Sequence, residues 1–293
     1  MSASISHHTQ CIACDHLQLN DLSSFQHVHL VKCAKCGLVF CADIPSISEL
    51  EKYYSNYGLQ QYLSPITVKR YHEWLDKFEV FRKTGNLMDV GCGNGLFLME
   101  AKKRGWKVYG TEYGGQQVEI CREKGIVMHQ GPLLQHLFPD IIFDVVTSIE
   151  VIEHINNPQV ELEIIHQKLR AGGLFYCTTP NFNALSRFIL KDKYNIISYP
   201  EHLTYYTPKS ISRLMKRMGF GKLYIETTGI SITRFNQSTG KNLQKVVSAT
   251  SDDEVLRNKI ESHWYLQLAK GILNFLLNIT GLGYSLKGAF IKN

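Results

Sequence analysis

No apolar run in this 293-residue chain is long enough to cross a bilayer; the most apolar stretch, around 272–279, is far too short. Nor does it carry a block of like charges, so a nucleic-acid-binding tail is not indicated. The first residues lack the basic and apolar segments of a signal peptide, which makes a cytoplasmic protein the expectation. There is no internal repeat, which excludes a solenoid. Position 96 is Leu where a dinucleotide fingerprint G-x-G-x-x-G would place its third glycine, and that counts against NAD.

The composition that remains is that of an ordinary globular protein. Hydrophobic residues make up 44% and charged residues 20%, so disorder is not expected. A net charge of +6 favours an anionic partner, but a mildly basic enzyme with no such partner fits equally well. Of the eight cysteines, four form two close pairs, Cys11 with Cys14 and Cys33 with Cys36. Two C-x-x-C turns at this separation have the spacing of a zinc ribbon, and four thiolates leave no open position, so the metal is structural. Between the pairs, Val28, Leu30 and Val31 read as short strands around a core too small to hold without it.

The chain is organised around Asp89-Val90-Gly91-Cys92-Gly93-Asn94-Gly95, preceded by Leu87 and Met88 and followed by a helical run. A buried strand that ends in an acid and turns through alternating glycines into a helix lets a ligand lie against bare backbone. The pattern continues as a helix over 94–104 stopped by Gly105, a strand over 107–111 ending at Glu112, a helix over 114–124 and a strand over 126–128. A buried strand then opens at Phe143-Asp144-Val145-Val146 and runs through Ser148 and Ile149 into Glu150-Val151-Ile152-Glu153-His154. Asn157 and Pro158 start a helix; Gly172-Gly173 opens a strand over 174–178.

DVGCGNG with Glu112, followed by F-D-V-V and E-V-I-E-H, resembles the class I S-adenosylmethionine (SAM) methyltransferases of small-molecule type related to ubiquinone-pathway enzymes. C-x-x-C-G-L-V-F is similar to the zinc-ribbon leader of some methyltransferases of sugar and polysaccharide biosynthesis. The resemblance implies an α/β fold: a doubly wound, Rossmann-like seven-stranded sheet whose last strand, about 286–291, is antiparallel beside the fifth. It implies a cofactor seat made by Asp89, Gly91, Cys92, Gly93, Gly95, Glu112, Tyr113, Leu133, Ser148 and Ile149, with Glu112 on the ribose hydroxyls. Where the family usually continues Gly-Asp-Ala, this chain reads Gln130-Gly131-Pro132-Leu133, so adenine contacts fall to backbone near Leu133 or to another side chain.

The long connection 179–207 reads as a lid over the same edge, and its Pro200-Glu201-His202-Leu203-Thr204-Tyr205-Tyr206-Thr207 resembles the H-L-x-x-Y/F-T stretch of the same enzymes. His154, His202 and Glu153 are the catalytic candidates; a histidine suits a general base near neutrality, and the same residues could instead order the loop and lid. The expected division is a ribbon over 1–45, a helical linker over 46–84, a SAM-binding core over 85–230, a helical insert over 231–282 and a final strand over 283–293. Tyr53, Tyr54 and Tyr57 either line a pocket or pack as a helix face. The insert, with Trp264, Leu268, Ile272, Phe275 and Leu276, suits core packing, a homodimer or contact with a membrane surface. The implied activity is methyl transfer to O or C of a sugar, lipid-linked or quinone-like acceptor. The alternative is an RNA methyltransferase gripping RNA through the ribbon; dispersed basic residues and the absence of an Asn-Pro-Pro-Tyr-type motif speak against it.

Overall fold

Both C-x-x-C turns sit at the edge of a small antiparallel sheet. In the computed structural model, which describes residues 6–46, 48–50, 53, 63–194, 196–230, 238 and 252–293, the chain begins with β1 (Ser6–His7), β2 (Leu19–Asp21), β3 (Leu30–Cys33), β4 (Val39–Cys41) and β5 (Asp43–Ile44). β2, β3 and β4 pair antiparallel in sequence order, and β5 turns back on β1. The tyrosine-rich stretch 54–62 lies outside the described residues.

Ser64 then caps α1 (Pro65–Phe78): its hydroxyl accepts the Ile66 N–H, and Pro65 fills the first helical position, where a missing N–H costs nothing. The helix buries Trp74, Leu75 and Phe78 against the sheet, and a single turn of 3-10 helix, Glu79–Phe81, extends it. Asp144 pins the turn from this helix into the core. Its fully buried carboxylate accepts N–H groups from Lys83, Thr84 and Gly85 at 2.7–2.8 Å and the Arg170 Nε at 2.7 Å.

The core alternates strand and helix: β6 (Asn86–Val90), α2 (Leu96–Lys103), β7 (Lys107–Glu112), α3 (Gly115–Glu123), β8 (Val127–Gln130), β9 (Phe143–Ile149), α4 (Pro158–Lys168) and β10 (Leu169–Pro180). After α5 (Leu185–Leu190) and β11 (Thr204–Tyr205) come α6 (Pro208–Arg217), β12 (Phe220–Thr228), α7 (Asp252–Ser262), α8 (Trp264–Thr280) and β13 (Ser285–Lys292). Seven strands order as β12-β13-β10-β9-β6-β7-β8. β13 runs antiparallel between β10 and β12, as the resemblance implied. The order reverses beside β6, so the glycine turn lies at a topological switch point.

Three elements differ from the sequence reading. Val28, expected in a short strand, ends a 3-10 helix over Ser23–Val28, and the strand begins at Leu30. β10 begins at Leu169 rather than 174, because Leu169 pairs with Phe143 and a bulge through Gly172 and Gly173 returns the strand to register at Leu174 and Val145. Over the described residues 252–280 the insert forms two helices meeting at His263, and only Leu277 of α8 is buried; Trp264, Leu268, Ile272, Phe275 and Ile279 are each more than half exposed. Among the described residues no helix is long and apolar enough to cross a membrane.

The ribbon does not stand apart. Cys11, Ile12, Val31, Cys33, Leu38 and Phe40 share one apolar cluster with Met88, Val90, Phe143, Tyr206 and Leu214 of the core. β11, from the connection over the sheet, adds itself to the ribbon sheet by pairing Thr204 with Phe40 and Tyr205 with Val39.

Candidate functional site

The glycine turn is held open by its own backbone. Gly91, Gly93 and Gly95 all have positive φ, +67°, +54° and +68°, a region costly for any residue with a Cβ. A Cβ on Gly91 would fall 2.6 Å from Val151 Cγ2, and one on Gly95 2.6 Å from Ile126 Cδ1. At Gly93 it would meet nothing within 4 Å. Gly91 and Gly95 are therefore demanded by packing, whereas Gly93 faces open space where a ligand can approach the main chain. Thr111, at the end of β7, accepts the N–H of Cys92 on its carbonyl at 3.0 Å, and Lys124 Nζ donates to Asn94 O at 2.8 Å.

Glu112 sits across this gap. Its Oε2 accepts the Gly93 N–H at 2.9 Å, and its Oε1 accepts those of Tyr113 and Gly114 at 2.8 and 3.0 Å. The carboxylate is thus oriented at the carboxyl end of β7, on the same edge as the glycine turn. Ser148 Oγ, at the end of β9, is buried with no hydrogen-bond partner among the described residues, and a buried hydroxyl in that state calls for an acceptor. Bare backbone, a carboxylate and an orphaned hydroxyl fit a nucleoside with an amino-acid tail.

The other cofactor residues named from the sequence divide by exposure. Ile149 is partly buried beside Ser148, and Tyr113 is 61% exposed at the rim. Leu133 is buried in the apolar cluster, so only its main chain could meet a base. Cys92 Sγ points back to Gly93 O and Met128 Sδ, each at 3.8 Å. Asp89 is 3% exposed and accepts the Thr147 hydroxyl at 2.6 Å; burial pushes its pKa up to about 7 against the pull of that hydrogen bond. Its place is beneath the turn.

His154 and His202 come together from different segments. His154 ends a turn of 3-10 helix, Ile152–His154, just past β9; His202 precedes β11. His154 Nδ1 lies 2.6 Å from Glu201 O and His202 Nδ1 2.6 Å from Ile196 O. A carbonyl only accepts, so each Nδ1 is placed to donate. Burial lowers the His154 pKa below its ordinary value, opposed by Glu201, by a hydrogen bond to the Glu150 backbone and by the carboxylate of Glu112. Glu153 is buried, with Oε1 3.9 Å from His154 Nε2. One ligand atom from each of the three lies within 4.8 Å of the others, a set able to share a proton or hold a cation.

Sequence reasoning passed over Thr111, Thr147 and Glu161. Glu161, in the first turn of α4, has its carboxyl pushed up to about 8 by desolvation, and its charge is felt at Tyr113 and Tyr206. Its position three residues after Pro158 carries no motif that would have singled it out.

The four cysteines also meet. Cys11 Sγ is 3.5 Å from Cys36 Sγ and Cys14 Sγ 3.6 Å from Cys33 Sγ, all four atoms lying within 4.8 Å of one another. Zn–S bonds of about 2.3 Å in a tetrahedron require S–S edges of about 3.8 Å. The N–H groups of Ala13 and Cys36 donate to Cys11 and Cys33 Sγ at 3.4 Å, stabilising thiolates. The donor set fits zinc.

A family model described as a methyltransferase domain matches residues 62–224. A ubiquinone biosynthesis O-methyltransferase of Aeromonas salmonicida (strain A449) is 28% identical over 147 residues, 45% of this chain and 61% of that protein. One from Sodalis glossinidius (strain morsitans) is 30% identical over 106 residues, 33% of this chain and 42% of that protein. The chain thus spans about half the length of the curated relatives it matches. A SAM-dependent methyltransferase from Archaeoglobus fulgidus superposes with TM-score 0.53 at 18% identity, covering 83% of this chain and 98% of that one. Haemonchus contortus phosphoethanolamine N-methyltransferase 2, in complex with phosphomonomethylethanolamine and S-adenosylhomocysteine, gives 0.51 at 19% identity over 84% of this chain and 57% of that one. At such identities the likeness is one of fold.

Proposed function

The chain belongs to the methyltransferase-domain family, and on that premise we propose that it transfers a methyl group from SAM to a hydroxyl oxygen of a small-molecule acceptor, a sugar, lipid-linked or quinone-like compound. The observation that carries the oxygen assignment is the pair of imidazoles at the carboxyl edge, each with Nδ1 2.6 Å from a backbone carbonyl and the two rings 4.9 Å apart. An imidazole at that edge suits a general base for a hydroxyl proton.

When bound, SAM supplies an activated methyl group on a sulfonium. The chain's own work is to bind, align and exclude water. Gly93 lets the main chain approach the cofactor, and Glu112 holds the ribose hydroxyls. His154 and His202 orient the acceptor hydroxyl, and His154, kept neutral by burial, accepts its proton. Glu153 balances the charge that the imidazole gains. The relatives named as ubiquinone biosynthesis O-methyltransferases support transfer to an oxygen of a small molecule. The ribbon would hold one zinc ion with a purely structural role.

The RNA reading is less well supported, since the ribbon packs into the core cluster rather than presenting a separate face. Incubation with methyl-labelled SAM and three acceptor pools, phenolic rings, nucleotide sugars and structured RNA, separates the readings. Label in a hydroxyl-bearing small molecule is the expected result. Label in RNA alone would overturn it.

A further inference from the structure

Residues 201–204 are bound on two sides. On the ribbon side, Cys41 donates its N–H to Leu203 O at 2.8 Å and its thiol to His202 O at 3.5 Å. On the core side, Leu203 donates its N–H to Glu153 O at 2.8 Å, and Thr204 Oγ1 donates to Ile155 O at 2.7 Å. His154 Nδ1 reaches Glu201 O on that same side. Leu203 therefore links the ribbon to the catalytic loop through the two ends of one residue.

β11 is only two residues long, and so short a strand takes its position from its partner. That partner, β4, is the second arm of the β3–β4 hairpin, whose turn carries Cys33 and Cys36. Within the turn Cys33 donates its N–H to Leu38 O at 2.9 Å and accepts that of Gly37 at 3.0 Å. Beyond β11, Arg213 of α6 donates to Cys36 O at 2.9 Å, and Arg217 pairs with Asp15 beside Cys14. The segment after β11 is thus tied to the metal-ligating turns, and the segment before it to Cys41 of β4.

We propose that the four-cysteine ribbon is a positioning element of the acceptor site: by holding the β3–β4 hairpin it seats β11, and through Cys41 and Leu203 it sets where the His202 imidazole stands against His154. Cys41 is a positioning residue, not a ligand and not a catalytic group. The proposal rests on the reading of His154 and His202 as the acceptor-side pair. It makes the metal matter more to the acceptor half of the site than to the cofactor half, because β6, β7 and the glycine turn have no hydrogen bond to the ribbon among those of the described residues, and Met88 and Val90 of β6 share only an apolar cluster with it.

The test compares zinc-loaded full-length protein with the same protein stripped by a chelator. Amide exchange at 201–205 is expected to rise about tenfold or more on stripping, with peptides covering 87–95 and 107–114 unchanged and S-adenosylhomocysteine affinity within about twofold. The imidazole nitrogen spectrum should at the same time lose the Nδ1-protonated signature of His202. Unchanged exchange at 201–205 overturns the coupling. Exchange rising equally in β6 and β7, with cofactor affinity lost, also overturns it, since the metal would then be a staple for the whole fold.

Cys41→Ala, which leaves all four ligands in place, should speed exchange at 202–204 about threefold to tenfold, with Cys41→Ser restoring it. Wild-type exchange in Cys41→Ala would remove the thiol from the linkage. Should exchange behave as expected while His154→Ala and His202→Ala transfer methyl undiminished, the coupling stands and the acceptor-site reading beneath the proposal falls.

Discussion

The rings of His154 and His202 meet edge to face, with centroids 4.9 Å apart and planes inclined at 69°. Each has its Nδ1 tied to a carbonyl of the connection over the sheet, so both imidazoles are locked in orientation. Replacing either with Ala should lower the single-turnover transfer rate by about a hundredfold to ten-thousandfold while leaving S-adenosylhomocysteine affinity nearly unchanged. Equal losses in both would assign the histidines to cofactor binding.

The pH profile follows from the same burial. The pKa of His154 is lowered, so the ring stays neutral as pH falls through the ordinary imidazole value near 6.5. Transfer measured from pH 8 downward should hold level past that point and decline only below it. A decline centred at or above 6.5 would exclude His154 as the base.

Glu112 accepts three backbone N–H groups with two oxygens, and its removal takes a charged acceptor from the seat. Glu112→Ala should weaken cofactor binding by about 1.5–3 kcal/mol in calorimetry, the range for a hydrogen bond to a charged group. Wild-type affinity would free the residue from its ribose role.

Gly91 and Gly93 should behave oppositely. Gly91→Ala places a Cβ against Val151 at positive φ and should lower the melting temperature. Gly93→Arg points into open space and should abolish cofactor binding while costing about 1–2 kcal/mol for its left-handed backbone. Calorimetry and thermal melts on both proteins check this; cofactor affinity kept in Gly93→Arg would move the seat elsewhere.

Asp89 keeps its proton up to about pH 7 in the folded state, against 3.8 when exposed. Between those values the unfolded chain has lost a proton that the folded chain retains. Asp89 therefore reduces stability as pH rises from about 4 to about 7, by up to about 4 kcal/mol, and the effect then levels off. Asp89→Asn keeps an oxygen for the Thr147 hydroxyl and removes the slope. Urea unfolding of both proteins at pH 4, 5.5 and 7 should show the variant gaining on the parent; a constant difference would place the shift elsewhere.

Much of this was legible in the chain because it is local. Alternating apolar runs and glycine stops mark β6 through β10, and C-x-x-C needs only a turn to bring two sulfurs together. Gly91-Cys92-Gly93 and Glu112 announce a bare turn and a strand-ending acid by spacing alone. Asp89 and Thr147 were harder: one was named and the other missed, because their contact joins adjacent strands and leaves no periodicity. Glu161 was missed because only packing buries its carboxyl.

What the residue order determined by itself is therefore the sequence of strands and helices, the glycine turn with its acid, and the two pairs of thiols, each set by neighbours a few positions apart. Only the tertiary structure decided that His154 and His202 share one face, that Leu203 bridges ribbon and core, and that α8 keeps most of its apolar surface exposed. Those are meetings between distant segments. They depend on β11 leaving its own connection to complete another sheet, a choice made by hydrogen bonding and burial across the whole chain.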